Sequence, residues 1–333
     1  MKHRFNIAWS LPILISAAAW HSPWAAWSAL LLFQLALVGL ERLPALGKSP
    51  EAESASRRHA VVLWLHVPLQ AAMLAVGVLV AVRHPDNLLA VVALGIGVGG
   101  VTGGQGITMA HELGHSRRKI DVALAWGLMV SVLYAHFMVE HYRGHHVLAA
   151  TDEDPASARL GQTLWNFLPR TLFGSWRSAW RLEAARVRSL RQGWARSALL
   201  RAMLLQGILL LAVTWVGGAP ALLFWLVQAA YAIFLLETTN YIEHYGLHRR
   251  RGEPFAVQHA WNADHLVTNC FIVNLQRHSD HHMKAWKPYP ELQALPGPQL
   301  PTGYAGCLFL ALLPPIWNRV MGPRAHAWRA AQY

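Results

Sequence analysis

The chain of 333 residues is 54% hydrophobic and 14% charged, holds 16 Trp and carries a net charge of +12. Soluble domains hold about 25% charged residues, so the deficit excludes an ordinary water-soluble domain and points to lipid as the solvent. The two cysteines, Cys270 and Cys307, form no CxxC pair, which excludes a disulfide framework and a built-in thiolate iron or zinc module.

Lys2 and Arg4 precede an apolar run from Phe5 to Trp20, an arrangement shared with signal peptides. A second run, Ala25–Leu40, follows at once. The break between them, His21-Ser22-Pro23, is ringed by Trp20, Trp24 and Trp27, as in the aromatic belt of a membrane surface, so the first run reads as a span. Further apolar runs occupy Ala60–Val82, Leu88–Ala110, Leu199–Val216 and Ala221–Leu236, the last two joined by the turn Gly217-Gly218-Ala219-Pro220. With flanking residues these predict six spans, at approximately 5–21, 24–40, 60–82, 87–110, 199–217 and 220–239, each near the ~20 residues a bilayer needs. Arg42, Lys48, Arg57, Arg58, Arg117, Arg118, Lys119 and a long arginine-rich stretch fall in the inner loops, and the outer turns hold Arg83. The positive-inside rule then puts both termini in the cytoplasm. This charge placement favours anionic lipid or an acidic partner over nucleic acid.

Val122–Val139 is apolar enough to cross, but crossing would separate two histidine clusters onto opposite faces. It is expected to lie at or just under the cytoplasmic surface. Gly303–Leu313 is too short to span, ends at Pro314-Pro315, and reads as an interfacial or docking segment. In the fourth span Gly95-x-Gly97-x-x-Gly100 formally matches a dinucleotide fingerprint but lacks a βαβ setting. Gly95, Gly99 and Gly103, four apart, read as a close helix-packing face.

Histidine clusters carry the chemistry. His111-Glu112-Leu113-Gly114-His115 puts two imidazoles at i and i+4 with a carboxylate beside them, the pattern of a zinc hydrolase. In HYRGHH, His141 and His145 are expected to share a face while His146 points about 100° away, which suits two neighbouring metals. In LQRHSDHH, residues 275–282, His278, His281 and His282 fall on one helix face. His244, in the stretch 240–247, is on spacing equally an interfacial polar residue or a ligand. So many imidazoles exceed the needs of one zinc site and point to two irons that activate dioxygen. Glu112, Glu140, Glu243 and Asp280, each adjoining a histidine, are candidates to orient the rings.

HELGH, EHYRGHH, the Thr151–Ala156 stretch TDEDPA, NYIEHYGL and LQRHSDHH follow in that order. In these motifs the chain closely resembles the integral-membrane alkane 1-monooxygenases (alkane hydroxylases) of the membrane fatty-acid desaturase and hydroxylase superfamily. The resemblance runs from the fourth span to the C-terminus, LPTGY at Leu300–Tyr304 included, and in the first three spans it is architectural. It implies an all-α integral membrane protein, one domain over 1–333, with six transmembrane helices and a cytoplasmic-side histidine-rich di-iron centre. Its boxes would be 111–115, 140–146, 240–247 and 275–282. The implied ligands are His111, His115, His141, His145, His146, His244, His278, His281 and His282, which makes His244 a ligand. The implied setting is a bacterial-type inner membrane.

The implied reaction hydroxylates the terminal C–H of medium-chain n-alkanes with O₂ and electrons from rubredoxin and rubredoxin reductase. A ferredoxin-type reductase serves the aromatic-oxidising branch. Two cysteines cannot make a rubredoxin site, so the donor is expected to be separate. Between Arg170 and Arg201 stand eight arginines and one acid, Glu183, a basic surface suited to an acidic donor. The competing readings are a methyl hydroxylase of alkylbenzenes like xylene monooxygenase, a fatty-acyl hydroxylase or desaturase, an intramembrane zinc protease using HExxH, and a metal transporter or bis-histidine haem protein.

Overall fold

The computed structural model describes residues 3–331 apart from 44, 45 and 47, so Lys2 lies outside the described residues. A 3₁₀ stretch, Arg4–Trp9, leads into α1 (Ser10–His21), followed by α2 (Pro23–Leu40), α3 (Arg57–Val82) and α4 (Leu88–Gly114). Beyond them come α5 (Lys119–Ser131), α6 (Phe137–Glu140), α7 (Leu164–Ser189) and α8 (Ala198–His244). The short helices α9 (Leu266–Phe271), α10 (His278–Met283), α11 (Tyr304–Ala311) and the longer α12 (Pro314–Ala330) complete the chain. The fold is all-α and membrane-embedded. In hydrocarbon every backbone N–H and C=O needs a partner, and a helix supplies them within one segment.

Among the described residues, four helices, α2, α3, α4 and α8, are long and apolar enough to cross a membrane. The first expected span differs: α1 has 12 residues, about 18 Å, and approaches the ~30 Å of a bilayer core only with its 3₁₀ stretch included. The last two expected spans form one 47-residue helix broken at Gly218, whose φ of 63° and ψ of −156° suit glycine alone. Leu199, at its start, packs in one cluster with Val139, and His244, at its end, sits 4.9 Å from the His145 ring. Both ends therefore return to one level, and the halves run antiparallel.

Helix α4 is the centre of the bundle, with 72% of its apolar stretch buried against 17–39% in the other three. Its glycines explain the close approach. A Cβ on Gly95 would stand 2.7 Å from Val227 Cβ, one on Gly99 2.7 Å from the Gln228 carbonyl, and one on Gly103 2.7 Å from Ala232 Cα. The four-residue glycine repeat is thus the seat of the second half of α8.

The segment 122–139 does not lie flat on the surface, as expected from its sequence, but dips into the bundle and returns. Ser131, the last residue of α5, accepts a hydrogen bond on Oγ from Gln70 (3.0 Å) and on its carbonyl from Trp225 and Gln228 (3.0 Å each). Gln228 lies sixteen residues before His244, so the tip reaches roughly 20 Å in from the histidines. Ala125, Leu128 and Met129 bury α5 among the other helices, and the buried amide and indole groups satisfy the backbone where it turns. The ends stay on one side, with the His115 and His141 rings 6.0 Å apart.

Gly303–Leu313 also differs from expectation. Most of it forms α11, whose Cys307 and Ala311 are fully buried with Tyr241 and Trp317, so it is core rather than an interfacial segment. Helix α7 is amphipathic: Phe167, Thr171 and Ser178 face inward, while Trp165, Phe173, Trp176, Arg177 and Arg181 are exposed.

Gly99→Leu should lower the thermal unfolding midpoint in detergent, since overpacking costs roughly 1–3 kcal/mol or more. Gly207→Leu, where a Cβ meets nothing within 4 Å, should not.

Candidate metal centre

Four segments bring histidines to the end of the bundle. His111 is in the last turns of α4, and His115 caps it. Helix α6 runs into a π turn, His141–His145, followed by His146. His244 ends α8, and α10 carries His278, His281 and His282. All nine converge in two adjoining sets. His111, His115, His141, His146 and His281 form one; His145, His244, His278 and His282 form the other, with the ligand atoms of each set within 4.8 Å of one another.

The partition differs from the helical spacing in one respect. His141 pairs with His146, Nε2 to Nε2 at 3.0 Å, and His145 belongs to the other set. The π turn is the cause: five residues, not four, bring a side chain back to the same face. Helix α10 straddles both sets, giving His281 to the first and His278 and His282 to the second.

The arrangement fits metal ions. Further ring nitrogens meet head-on: His111 Nε2 and His281 Nε2 at 2.7 Å, His278 Nε2 and His244 Nε2 at 3.2 Å, His281 Nε2 and His146 Nε2 at 3.3 Å. Among the described residues, buried His115 Nε2, His145 Nε2 and both nitrogens of His282 have no hydrogen-bond partner. Buried polar atoms left this way are costly, and a cation between the lone pairs removes the cost. Burial brings His115 down to about 4. Burial, then neighbouring imidazoles, holds His141, His146, His278, His281 and His282 well below the usual range. All are therefore neutral at pH 7, the form that binds metal.

Carboxylates behind the rings differ in what they touch. Glu243 Oε1 stands 3.2 Å from His278 Nδ1 and accepts from the Tyr304 hydroxyl at 2.6 Å. Asp154 Oδ2 stands 2.9 Å from His145 Nδ1 and accepts from the Ser157 hydroxyl at 2.6 Å. Sequence spacing does not single out Asp154 as a ring-orienting residue. It lies nine residues past its partner, and the TDEDPA stretch is its available signal. Burial pushes its carboxyl up, but His145 and Ser157 outweigh this and hold it below the usual range. Glu112 accepts from the Tyr289 N–H at 3.2 Å, and Asp280 from Lys287 Nζ at 2.6 Å and the Gln293 N–H at 2.8 Å. Glu140 is buried beside the π turn, where Gly144 leaves it room.

Among the described residues, two larger cavities meet the centre. An apolar one of about 140 Å³ runs among α1, α2, α4, α8 and α11 and ends at His111, His141 and His278. A second, of about 540 Å³, reaches Glu112 and His115 from between α3 and the 285–290 loop, with Arg117, Trp286 and Lys287 on its wall.

Removing the carboxylate that orients one ring should loosen one set. Asp154→Asn should lower metal affinity of the four-imidazole set roughly 10–100-fold, read as early release of about one equivalent to a chelator while the other is retained.

Comparison with known proteins extends this picture. The fatty acid desaturase family model matches residues 85–307. The chain is 44% identical over 246 residues to alkane 1-monooxygenase 1 of Pseudomonas aeruginosa, covering 71% of this chain and 64% of that protein. It is 35% identical over 280 residues to the alkane 1-monooxygenase of Ectopseudomonas oleovorans, covering 82% and 70%. It is 28% identical over 228 residues to the hydroxylase component of the xylene/toluene monooxygenase of Pseudomonas putida, covering 67% and 61%. The chain thus spans less than two thirds of the length of the first of these relatives. With its histidine boxes inside the matched region, the chain belongs to the fatty acid desaturase family, on its alkane 1-monooxygenase branch.

Proposed function

We propose that this chain is a non-haem di-iron monooxygenase that hydroxylates the terminal carbon of medium-chain n-alkanes. A terminal methyl group, O₂, two electrons and two protons become a primary alcohol and water. The observation that carries the reading is the position of the nine imidazoles, seven buried and two half-buried: two adjoining sets at the inner end of an apolar cavity. Two irons held by the sets given above would supply the oxidising chemistry. The alkane 1-monooxygenase relatives support the same assignment.

The chain's own residues do the rest. An alkane offers no hydrogen bond, so only shape can orient it. Leu30, Phe33, Leu235, Phe271 and Leu308 line a mainly apolar cavity that would hold the chain end-on, its terminus toward His111, His141 and His278. Glu243 and Asp154 hold two rings on the four-imidazole set. Glu112, Glu140 and Asp280 are proposed to support the centre through the loops and turns that they touch.

Six crossings are the topology we propose, with the histidines and both termini in the cytoplasm of a bacterial-type inner membrane. The fold-back at Gly218 and the combined length of Arg4–His21 support it. Rubredoxin and its reductase are proposed as separate donors. Part of the arginine-rich stretch is engaged internally: Arg186 and Arg143 pair with Glu183, and Arg170 donates to the carbonyls of Asp154 and Ser157. Arg177, Arg181, Arg188 and Arg191 are exposed and are the residues proposed to meet an acidic donor.

Purified protein should contain two irons per chain without haem absorption. Cells expressing it and given n-octane, n-dodecane and p-xylene should form 1-alkanols. Oxidation of p-xylene alone would favour the aromatic branch to which the Pseudomonas putida relative belongs.

Charge reversal of Arg181, Arg188 and Arg191 should raise the KM for the donor severalfold and leave the alkane KM nearly as it was, with the effect fading as salt shortens the Debye length. If reversal at Arg117 and Lys287 has this effect instead, the donor meets the cavity beside His115.

A further inference from the structure

We infer that Gly104 is a specificity-determining position: its missing side chain is the gap through which a bound hydrocarbon chain extends beyond the first turns from the metal centre. The inference rests on the proposed alkane reaction for its substrate, and on cavity geometry for its location.

The glycines of α4 are of two kinds. At Gly95, Gly97, Gly99, Gly100, Gly103, Gly106 and Gly114 a Cβ would clash with a neighbouring residue: the second half of α8, α2, Gln70 or Tyr142. Close packing accounts for each. At Gly104 a Cβ would meet nothing within 4 Å. Gly104 is also partly accessible, whereas the flanking Gly103 and Gly106 are buried. Glycine weakens a helix interior, so an open position that lacks a side chain calls for a reason other than packing.

The cavity supplies that reason. Gly104 lines it, as does Gly100 four residues earlier, with Leu30 and Phe33 of α2 also on its wall. The metal end is marked by His111, seven residues on, about 10 Å along the helix. A short alkane fits between the two levels, and a longer one must pass Gly104. Helical side chains lean toward the N-terminus. Residues 102–107 form a π turn, so a side chain at 104 would project over the preceding turn at Gly99 and Gly100, closing the far end of the cavity and sparing the histidine end.

The test compares wild type, Gly104→Leu and Gly104→Ala on n-hexane and n-dodecane, with iron content and thermal unfolding measured on each. A twelve-carbon n-alkane bearing a terminal diazirine is photolysed on the same proteins without reductant, and its adducts are mapped by mass spectrometry. The expected result is at least a tenfold fall in the ratio of 1-dodecanol to 1-hexanol in Gly104→Leu, with iron content retained. Adducts on α2 near Leu30 should fall in parallel. Gly104→Ala should show a smaller shift in the same direction, and it decides the matter if the leucine variant does not fold. An unaltered product ratio, or equal loss of both products with iron retained, would overturn the inference. So would adducts near Leu30 that do not respond to residue 104. A wild-type protein that oxidises no n-alkane, yet labels near Leu30 in a manner dependent on residue 104, refutes the proposed reaction and upholds the cavity inference.

Discussion

Nine imidazoles crowded nitrogen to nitrogen are the constraint on which this structure depends. A neutral ring can donate from one nitrogen and accept at the other, so head-on Nε2 pairs at 2.7–3.3 Å cannot all be satisfied by one another. Burial removes water as a partner for most of them. Cations satisfy the lone pairs that remain, so metal binding and the folding of the histidine-bearing end are coupled. The helices differ in this respect. They need no metal to satisfy their backbone, and they bring the histidine-bearing segments to one place.

The local geometry shows how two sets arise from four segments. In the box after α6 a π turn advances the chain by an extra residue per turn, which splits adjacent His145 and His146 between the sets. In α10 ordinary helical spacing does the same for His281 and His282. The re-entrant pair α5 and α6 explains how the HYRGHH box reaches HELGH from the same side. Its tip is held in the bundle by Gln70, Trp225 and Gln228, side chains that replace the water a turning backbone would otherwise require.

The centre divides two environments. On the bundle side the cavity is apolar and ends at His111, His141 and His278; on the other side a wider one with charged residues on its wall reaches Glu112 and His115. Helix α4 serves both, since its glycine face packs against α8 while the adjoining face, at Gly100 and Gly104, lines the apolar cavity. One helix thus sets both the closeness of the bundle and the space left within it.

The sequence alone determined the all-α class, most of the long apolar helices and eight of the nine members of the histidine sets; His244, undecided on spacing, came from the resemblance of its motif. Those features depend on composition and short-range spacing: apolar runs of bilayer length, and imidazoles three to five residues apart. It also placed Gly95, Gly99 and Gly103 at a helix contact, because a four-residue repeat is one face of a helix. The tertiary structure decided which ring joins which set, because a π turn is a backbone choice that residue identity does not announce. It decided that 122–139 enters the bundle, since the groups that permit this, Gln70, Trp225 and Gln228, lie on other helices. The contact of Asp154 with His145 and the open space beside Gly104 are likewise relations between segments. Sequence periodicity reports the face a residue occupies; what stands opposite that face is settled by packing.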